Sequence, residues 1–171
     1  STPKHAMDEA DLKAQIELSK RLLAGEPYGP RMTMTAMDAE AIIAYGEEMG
    51  VILRTKHPLG DVISMDPETA VLQSYFRNNI LHLYSAAAWI ALSFQNNRRM
   101  SRSSLIRLGL NVYPFIRSEL FLPWTDAEFV IKLNRTIDLF VSEGILSAAG
   151  EDGETLYRAP GQTDEVFQLR A

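Results

Sequence analysis

The side chains best suited to chemistry in this 171-residue sequence are three histidines, one run of arginines and a polar group set inside an apolar stretch. His5, His57 and His82 are far apart and none has a partner at metal-ligand spacing. His57 and Asp61 flank the turn Pro58-Leu59-Gly60, so an imidazole and a carboxylate can meet across it, although such a turn is ordinarily just solvated. Arg98, Arg99, Arg102 and Arg107 form the one basic cluster. It suits a phosphate, a lipid headgroup or an acidic protein surface, each arginine near an anionic membrane being worth about 1 kcal/mol. The ordinary alternative is a solvated helix start.

The polar group consists of Tyr75, Arg77, Asn78, Asn79 and His82. On a helix, Tyr75 with Asn79 and Asn78 with His82 stack at a spacing of four. If that surface is covered, every amide and the imidazole must find a partner, because a buried unpaired polar group costs about 1–3 kcal/mol. A satisfied docking network is therefore expected ahead of a catalytic site. The sequence has no glycine-rich phosphate loop and no dinucleotide fingerprint, and it has no cysteine, which removes a thiol nucleophile and cysteine-based zinc. No cofactor and no metal are expected.

These residues are placed by the longest apolar-periodic stretch, Thr69 to Asn97. Leu72, Phe76, Ile80, Leu83, Ala87, Ile90 and Phe94 recur at three- and four-residue intervals, and Ala86, Trp89 and Leu92 are apolar on the other side. The pattern predicts one long central helix surrounded by other elements. Asp66-Pro67 starts it, with Asp66 as cap and Pro67 at the first helical position. Its most apolar part, Ile80 to Phe94, is interrupted by His82, Ser85 and Ser93 and falls short of the roughly 20 residues a membrane span needs.

Upstream, Asp8 caps a helix to Leu23, and Thr35 with Asp38 resembles a capping box opening a helix to Met49. Two short β-prone runs follow, Val51 to Thr55 and Asp61 to Met65. Downstream, a helix runs from about Ser101 to Phe121, where Pro114 should kink or split it near Val112. Thr125 and Glu128 then make a capping box for a helix ending at Gly144, followed by a hairpin across Gly150-Glu151-Asp152-Gly153. The expected fold is mainly α with short β-hairpins: two helical units, 1–67 and 68–171, each ending in a winged-helix-like hairpin and joined by the long central helix.

Hydrophobic residues make up 46% of the chain and charged residues 23%, a globular composition. The formal net charge of -5 gives no bulk attraction to nucleic acid, and the acidic turn Glu151-Asp152-Gly153-Glu154 would repel phosphates. No nucleic-acid partner is expected. No secretory leader is visible in the first residues.

The segments SYFRNNILHLYSAAAWIALSF and SRSSLIRLGLNVYPFIRSELFLPW resemble the region downstream of the acyltransferase domain in bacterial membrane-bound glycerol-3-phosphate acyltransferases. The matching features are Tyr75-Phe76, Arg77-Asn78-Asn79-Ile80, His82, Tyr113-Pro114 and Glu119 to Trp124. The resemblance extends from Ala6 to about Tyr157. It implies a parent enzyme that moves an acyl chain from acyl-CoA or acyl carrier protein to the 1-hydroxyl of glycerol 3-phosphate, in phospholipid synthesis. That chemistry uses a histidine followed five residues later by aspartate, as base and orienting carboxylate. Here those positions hold Ala10, Val62 and Ala87, and the pair His57 and Asp61 is one residue short, so no catalytic residue carries over.

The resulting expectation is a non-catalytic C-terminal region with a structural, docking or regulatory role. It would pack on the catalytic domain of the same polypeptide, with a membrane surface or a second copy as further partners. The parent would lie at the cytoplasmic face of the inner membrane and the fragment alone would be soluble. The rival readings are a tandem winged-helix regulator and a lipid-surface adaptor.

Overall fold

The computed structural model describes residues 6–159; His5 lies outside them. The chain divides into two compact units. The first holds the described residues up to Ala24 together with Gly29–Ile80, and the second holds Gly25–Tyr28 and the described residues from Leu81 onward.

In the first unit, β1 (Ala6–Asp8) leads directly into α1 (Glu9–Gly25), followed by α2 (Ala39–Glu48), β2 (Leu53–Thr55), β3 (Val62–Ser64) and α3 (Pro67–Asn78). Asp8 caps α1 by accepting a hydrogen bond from the Ala10 amide at 2.8 Å. The cap of α2 is Asp38, which accepts from Ala41 N at 2.8 Å, while the Thr35 hydroxyl serves Met37 N at 3.2 Å. The expected Thr35 box is thus replaced by a single aspartate cap three residues later. Asp66 caps α3 through the amides of Glu68 and Thr69, with Pro67 at the first turn.

In the second unit, a 3-10 turn (Leu81–Tyr84) precedes α4 (Ser85–Gln95), β4 (Arg99–Ser101), α5 (Arg102–Leu120), α6 (Asp126–Ser142), β5 (Leu146–Ala149) and β6 (Thr155–Arg158). The capping box is complete: Thr125 Oγ1 accepts from Glu128 N at 3.3 Å, and Glu128 Oε2 accepts from Thr125 N at 2.7 Å. α5 is one helix through Pro114 and does not split. The exposed ring forfeits only the backbone bond its nitrogen cannot donate.

The expected class, mainly helical with short hairpins, is what the chain adopts. Both hairpins form, and each gains a third strand that the spacing did not foretell. The strand orders are β1-β3-β2 and β4-β6-β5, all antiparallel. In each unit the strand immediately ahead of a helix pair returns to pair with the last hairpin strand. Element order and strand order are therefore the same in both.

The long central helix is a correction. It breaks after Asn78, passes through Asn79 and Ile80, and resumes through the 3-10 turn into α4. Two successive asparagines, whose side chains compete for backbone groups, are weak helix interior residues. The break separates the apolar stripe into two fates: Ile90 and Phe94 are fully buried, whereas Leu72, Phe76 and Ile80 are exposed. The first part of the stretch is not surrounded, contrary to its pattern.

The second core is built on α6, whose Phe129, Leu133, Ile137 and Phe140 are completely buried at helical spacing. Tyr113 stacks on Phe129 with centroids 3.9 Å apart and donates its hydroxyl to Trp124 O at 2.7 Å. Burial pushes the Tyr113 phenol above its usual range. Gly109 lets α5 approach closely, since a Cβ there would meet Trp89 Nε1 at 2.9 Å and Leu133 Cδ1 at 3.0 Å. Between α5 and α6 the chain turns at Phe121, in the left-handed region at φ 52°, and this aims Leu122 and Trp124 into the core. Phe121 itself is 88% exposed.

A left-handed backbone costs a non-glycine residue about 1 kcal/mol. Phe121→Gly should therefore raise the unfolding free energy of this chain by up to about 1 kcal/mol, as little burial is lost. Leu122→Ala should lower it by about 2–4 kcal/mol. A destabilised Phe121→Gly protein in equilibrium unfolding would show that the ring is held by this chain after all.

Candidate functional site

The helix break distributes the polar group. Tyr75, Arg77 and Asn78 lie on α3 and Asn79 caps it, all four exposed. His82 lies beyond the break in the 3-10 turn of the second unit, half-buried, with Tyr28 edge-on at 4.7 Å. The stacking of Asn78 on His82 required a continuous helix, and α3 ends at Asn78. What surrounds the exposed polar residues is apolar: Val71 is 74% exposed, and Leu72, Tyr75, Phe76 and Ile80 are each close to half exposed or more. Tyr75 and Phe76 touch edge to face, 5.7 Å apart.

Beside this helix the first unit contains an open groove of about 620 Å³. Ala6 and Met7 of β1, Leu12 of α1, Ile63 of β3, and Phe76 and Arg77 are among its walls. Ser64, Gln73, Ser74 and Arg77 give its largely apolar lining a few polar groups. It is a shape that accepts an apolar segment with a polar edge, and no acid–base pair faces it.

The arginine cluster is also divided. Arg102 is taken up by structure, donating to Asn134 Oδ1 at 3.1 Å and to Asp138 Oδ1 at 2.6 Å. Arg98 and Arg107 are exposed. Arg99 is exposed too, with its guanidinium 6.0 Å from the Tyr157 ring centre. His57 and Asp61 do not form a pair: His57 Nδ1 accepts from Leu59 N at 3.2 Å, and the Asp61 carboxylate is held by Lys56 at 2.7 Å and Arg54 at 3.0 Å. Among the described residues no group of three histidine, aspartate or glutamate side chains could hold a metal ion.

Two charged assemblies escaped the linear reading. Arg54 of β2 donates to Glu9 at 2.6 Å, to Asp61 at 3.0 Å, and through two nitrogens to Glu47 at 2.8 and 3.0 Å. Lys13, which also reaches Glu40 at 3.5 Å, and Lys56 complete the group, so four carboxylates face three cations. The Arg54 guanidinium holds the Glu9 and Glu47 carboxyls below the usual range; at Asp61, Lys56 contributes most and Arg54 next. Arg54 is in turn pushed upward by its three acids. In the second unit, Lys132 donates to Glu26 at 2.8 Å and to Pro27 O at 2.9 Å, with its ammonium 4.6 Å above the Trp124 ring. Tyr28 leans on Trp124 at 5.0 Å, and Gly25 admits Leu139 where a Cβ would be 2.8 Å away. Nothing in sequence spacing marks these pairs, because the partners are up to 106 positions apart.

A family model described as the glycerol-3-phosphate acyltransferase C-terminal region matches residues 1–170. A glycerol-3-phosphate acyltransferase of Xanthomonas axonopodis pv. citri (strain 306) is 58% identical over 172 residues, covering all of this chain and 19% of that protein. One from Xylella fastidiosa (strain M12) is 56% identical, covering all of this chain and 20% of that protein. One from Pseudomonas paraeruginosa (strain DSM 24068 / PA7) is 36% identical over 170 residues, with 99% and 20% covered. The chain thus spans about a fifth of the length of the curated relatives it matches. No solved structure matches it.

The Arg54 assembly predicts a pH dependence. The Glu9, Glu47 and Asp61 carboxyls are held low when folded and regain ordinary values when unfolded, so the unfolded state binds more protons in acid. Their contribution is complete above the ordinary carboxylate range and is lost as pH falls below about 4. Urea midpoints measured from pH 7 to pH 3 should therefore drop, and Arg54→Met should be less stable at pH 7 with a shallower drop. The capping carboxylates Asp66, Glu128 and Glu154, also held low, should leave a residual slope. An unchanged slope in Arg54→Met would refute the assignment.

Proposed function

Because this chain belongs to the family of glycerol-3-phosphate acyltransferase C-terminal regions, we propose that it is a non-catalytic docking part of such an enzyme. In this reading the whole enzyme transfers an acyl group from acyl-CoA or acyl carrier protein to the sn-1 hydroxyl of glycerol 3-phosphate, the entry step of phospholipid synthesis. The catalytic domain of the same polypeptide is the partner. The observation that carries the reading is the exposed face of α3, where Tyr75, Arg77, Asn78 and Asn79 stand among Val71, Leu72, Phe76 and Ile80. Exposing that much contiguous apolar surface is costly for a chain that works alone. The polar members give such a face its register, and the apolar ones its affinity. His82 supports the second unit's side of the chain by packing on Tyr28.

Support for the absence of catalysis comes from the residues present. No histidine is followed five positions later by aspartate, and His57 and Asp61 are engaged elsewhere. Among the described residues no helix is long and apolar enough to cross a membrane. A parent located at the cytoplasmic face of the inner membrane would meet anionic lipid, and exposed Arg98, Arg99 and Arg107 are the side chains suited to it. The same helical surfaces are available to a second copy.

The isolated chain should show no acyl transfer above blank with acyl-CoA and glycerol 3-phosphate, while the full-length enzyme is active. Removal of this region from the full-length enzyme should abolish or strongly reduce that activity. Turnover by the isolated chain would overturn the reading. For the lipid contact, Arg98→Glu with Arg99→Glu should weaken co-sedimentation with phosphatidylglycerol vesicles several-fold, at unchanged thermal stability. Arg102 is unsuited to that test because its reversal would break the contacts to Asn134 and Asp138.

A further inference from the structure

We propose that the groove of the first unit, bordered by the apolar face of α3, is the seat of an apolar segment from the acyltransferase chain that precedes this region. The inference rests on the docking reading above and adds the surface and its occupant. Two observations carry it.

The first is the groove itself. Met7, Leu12, Ile52, Ile63, Met65 and Phe76 are among its apolar lining residues, and Phe76 is also exposed on α3. Val71, Leu72, Tyr75 and Phe76 recur at one- and three-residue steps and make a stripe two residues wide along the helix. Groove and stripe share Phe76, so one extended or helical segment can cover both.

The second is chain length. The matched family is a C-terminal region, and the relatives carry about four-fifths of their length outside it. In such a protein the remaining polypeptide enters from the N-terminal side. Any segment that precedes this region in such a protein is covalently tethered to it. Tethering of this kind gives an effective concentration in the millimolar range, so a modest apolar contact stays occupied without an intermolecular partner.

The chemistry of the occupant follows from the walls. Apolar side chains face the apolar lining. Arg77, a lining residue whose neighbours one turn away on α3 carry no acid, favours a carboxylate or a helix C-terminus beside it. Methionines at 7 and 65 adapt their shape to the inserted side chains.

The test uses a full-length acyltransferase carrying this region, with p-benzoylphenylalanine placed singly at Val71, Phe76 or Phe121, photolysed and mapped by mass spectrometry. Val71, Phe76 and Phe121 are exposed here, so the substitutions leave each unit's core intact. The expected result is intramolecular adducts from positions 71 and 76 to residues upstream of this region. Adducts at those positions confined to lipid, or to a second copy at doubled mass, would overturn the proposal. Upstream adducts from position 121 alone would overturn this surface while leaving the docking reading standing. No upstream adduct from any of the three would count against both.

Discussion

One guanidinium holds the first unit in register. Arg54 lies on a three-residue strand, yet it binds the start of α1 through Glu9, the end of α2 through Glu47, and the approach to β3 through Asp61. Short strands carry few ladder hydrogen bonds, so side-chain cross-links decide how such a sheet meets its helices. Arginine suits the task because its planar fork can serve several carboxylates at fixed angles. All members keep partial access to solvent, which limits the strength of each pair and avoids the full cost of burying charge. The groove wall made by β1, β3 and α1 depends on this arrangement.

The second unit solves the same problem with aromatic and aliphatic packing. Its core residues on α6 are wholly buried, and Tyr113 stacks on Phe129 while its buried hydroxyl donates to the Trp124 carbonyl. The Lys132 ammonium then fastens Glu26 and the Pro27 carbonyl over Trp124. That contact explains why Gly25–Tyr28 belongs to the second unit although α1 belongs almost wholly to the first. Two units with one topology are thus stabilised by different chemistry, a charged hub in one and a packed apolar core in the other.

This contrast bears on function. Both units expose apolar side chains on their helices, Leu92, Phe115 and Ile131 among them in the second, and the unit with the charged hub also leaves a groove open. The curated relatives are about five times as long as this region, and an interface within one chain needs no large area to persist because its partner is tethered.

Much of the architecture was legible from local rules. Asp66 with Pro67, the box of Thr125 and Glu128, and the helical spacing of Phe129, Leu133, Ile137 and Phe140 are encoded within a few residues, because caps and amphipathic faces are short-range physics. The family resemblance was legible for a similar reason: Arg77 to Ile80 and Glu119 to Trp124 are contiguous in sequence. Other features depended on partners far along the chain. The third strands β1 and β4 are too short to declare themselves by alternation, and they exist only because β3 and β6 offer an open edge. The long apolar stretch reads as one buried helix, since periodicity reports which residues share a face and says nothing of whether a neighbour covers it. Residue types and spacing determined the helices, their caps and the absence of a histidine–aspartate motif. Only the tertiary structure decided that Ile90 lies in a core while Phe76 stands at a groove, because burial is a property of what packs against a side chain, not of the side chain itself.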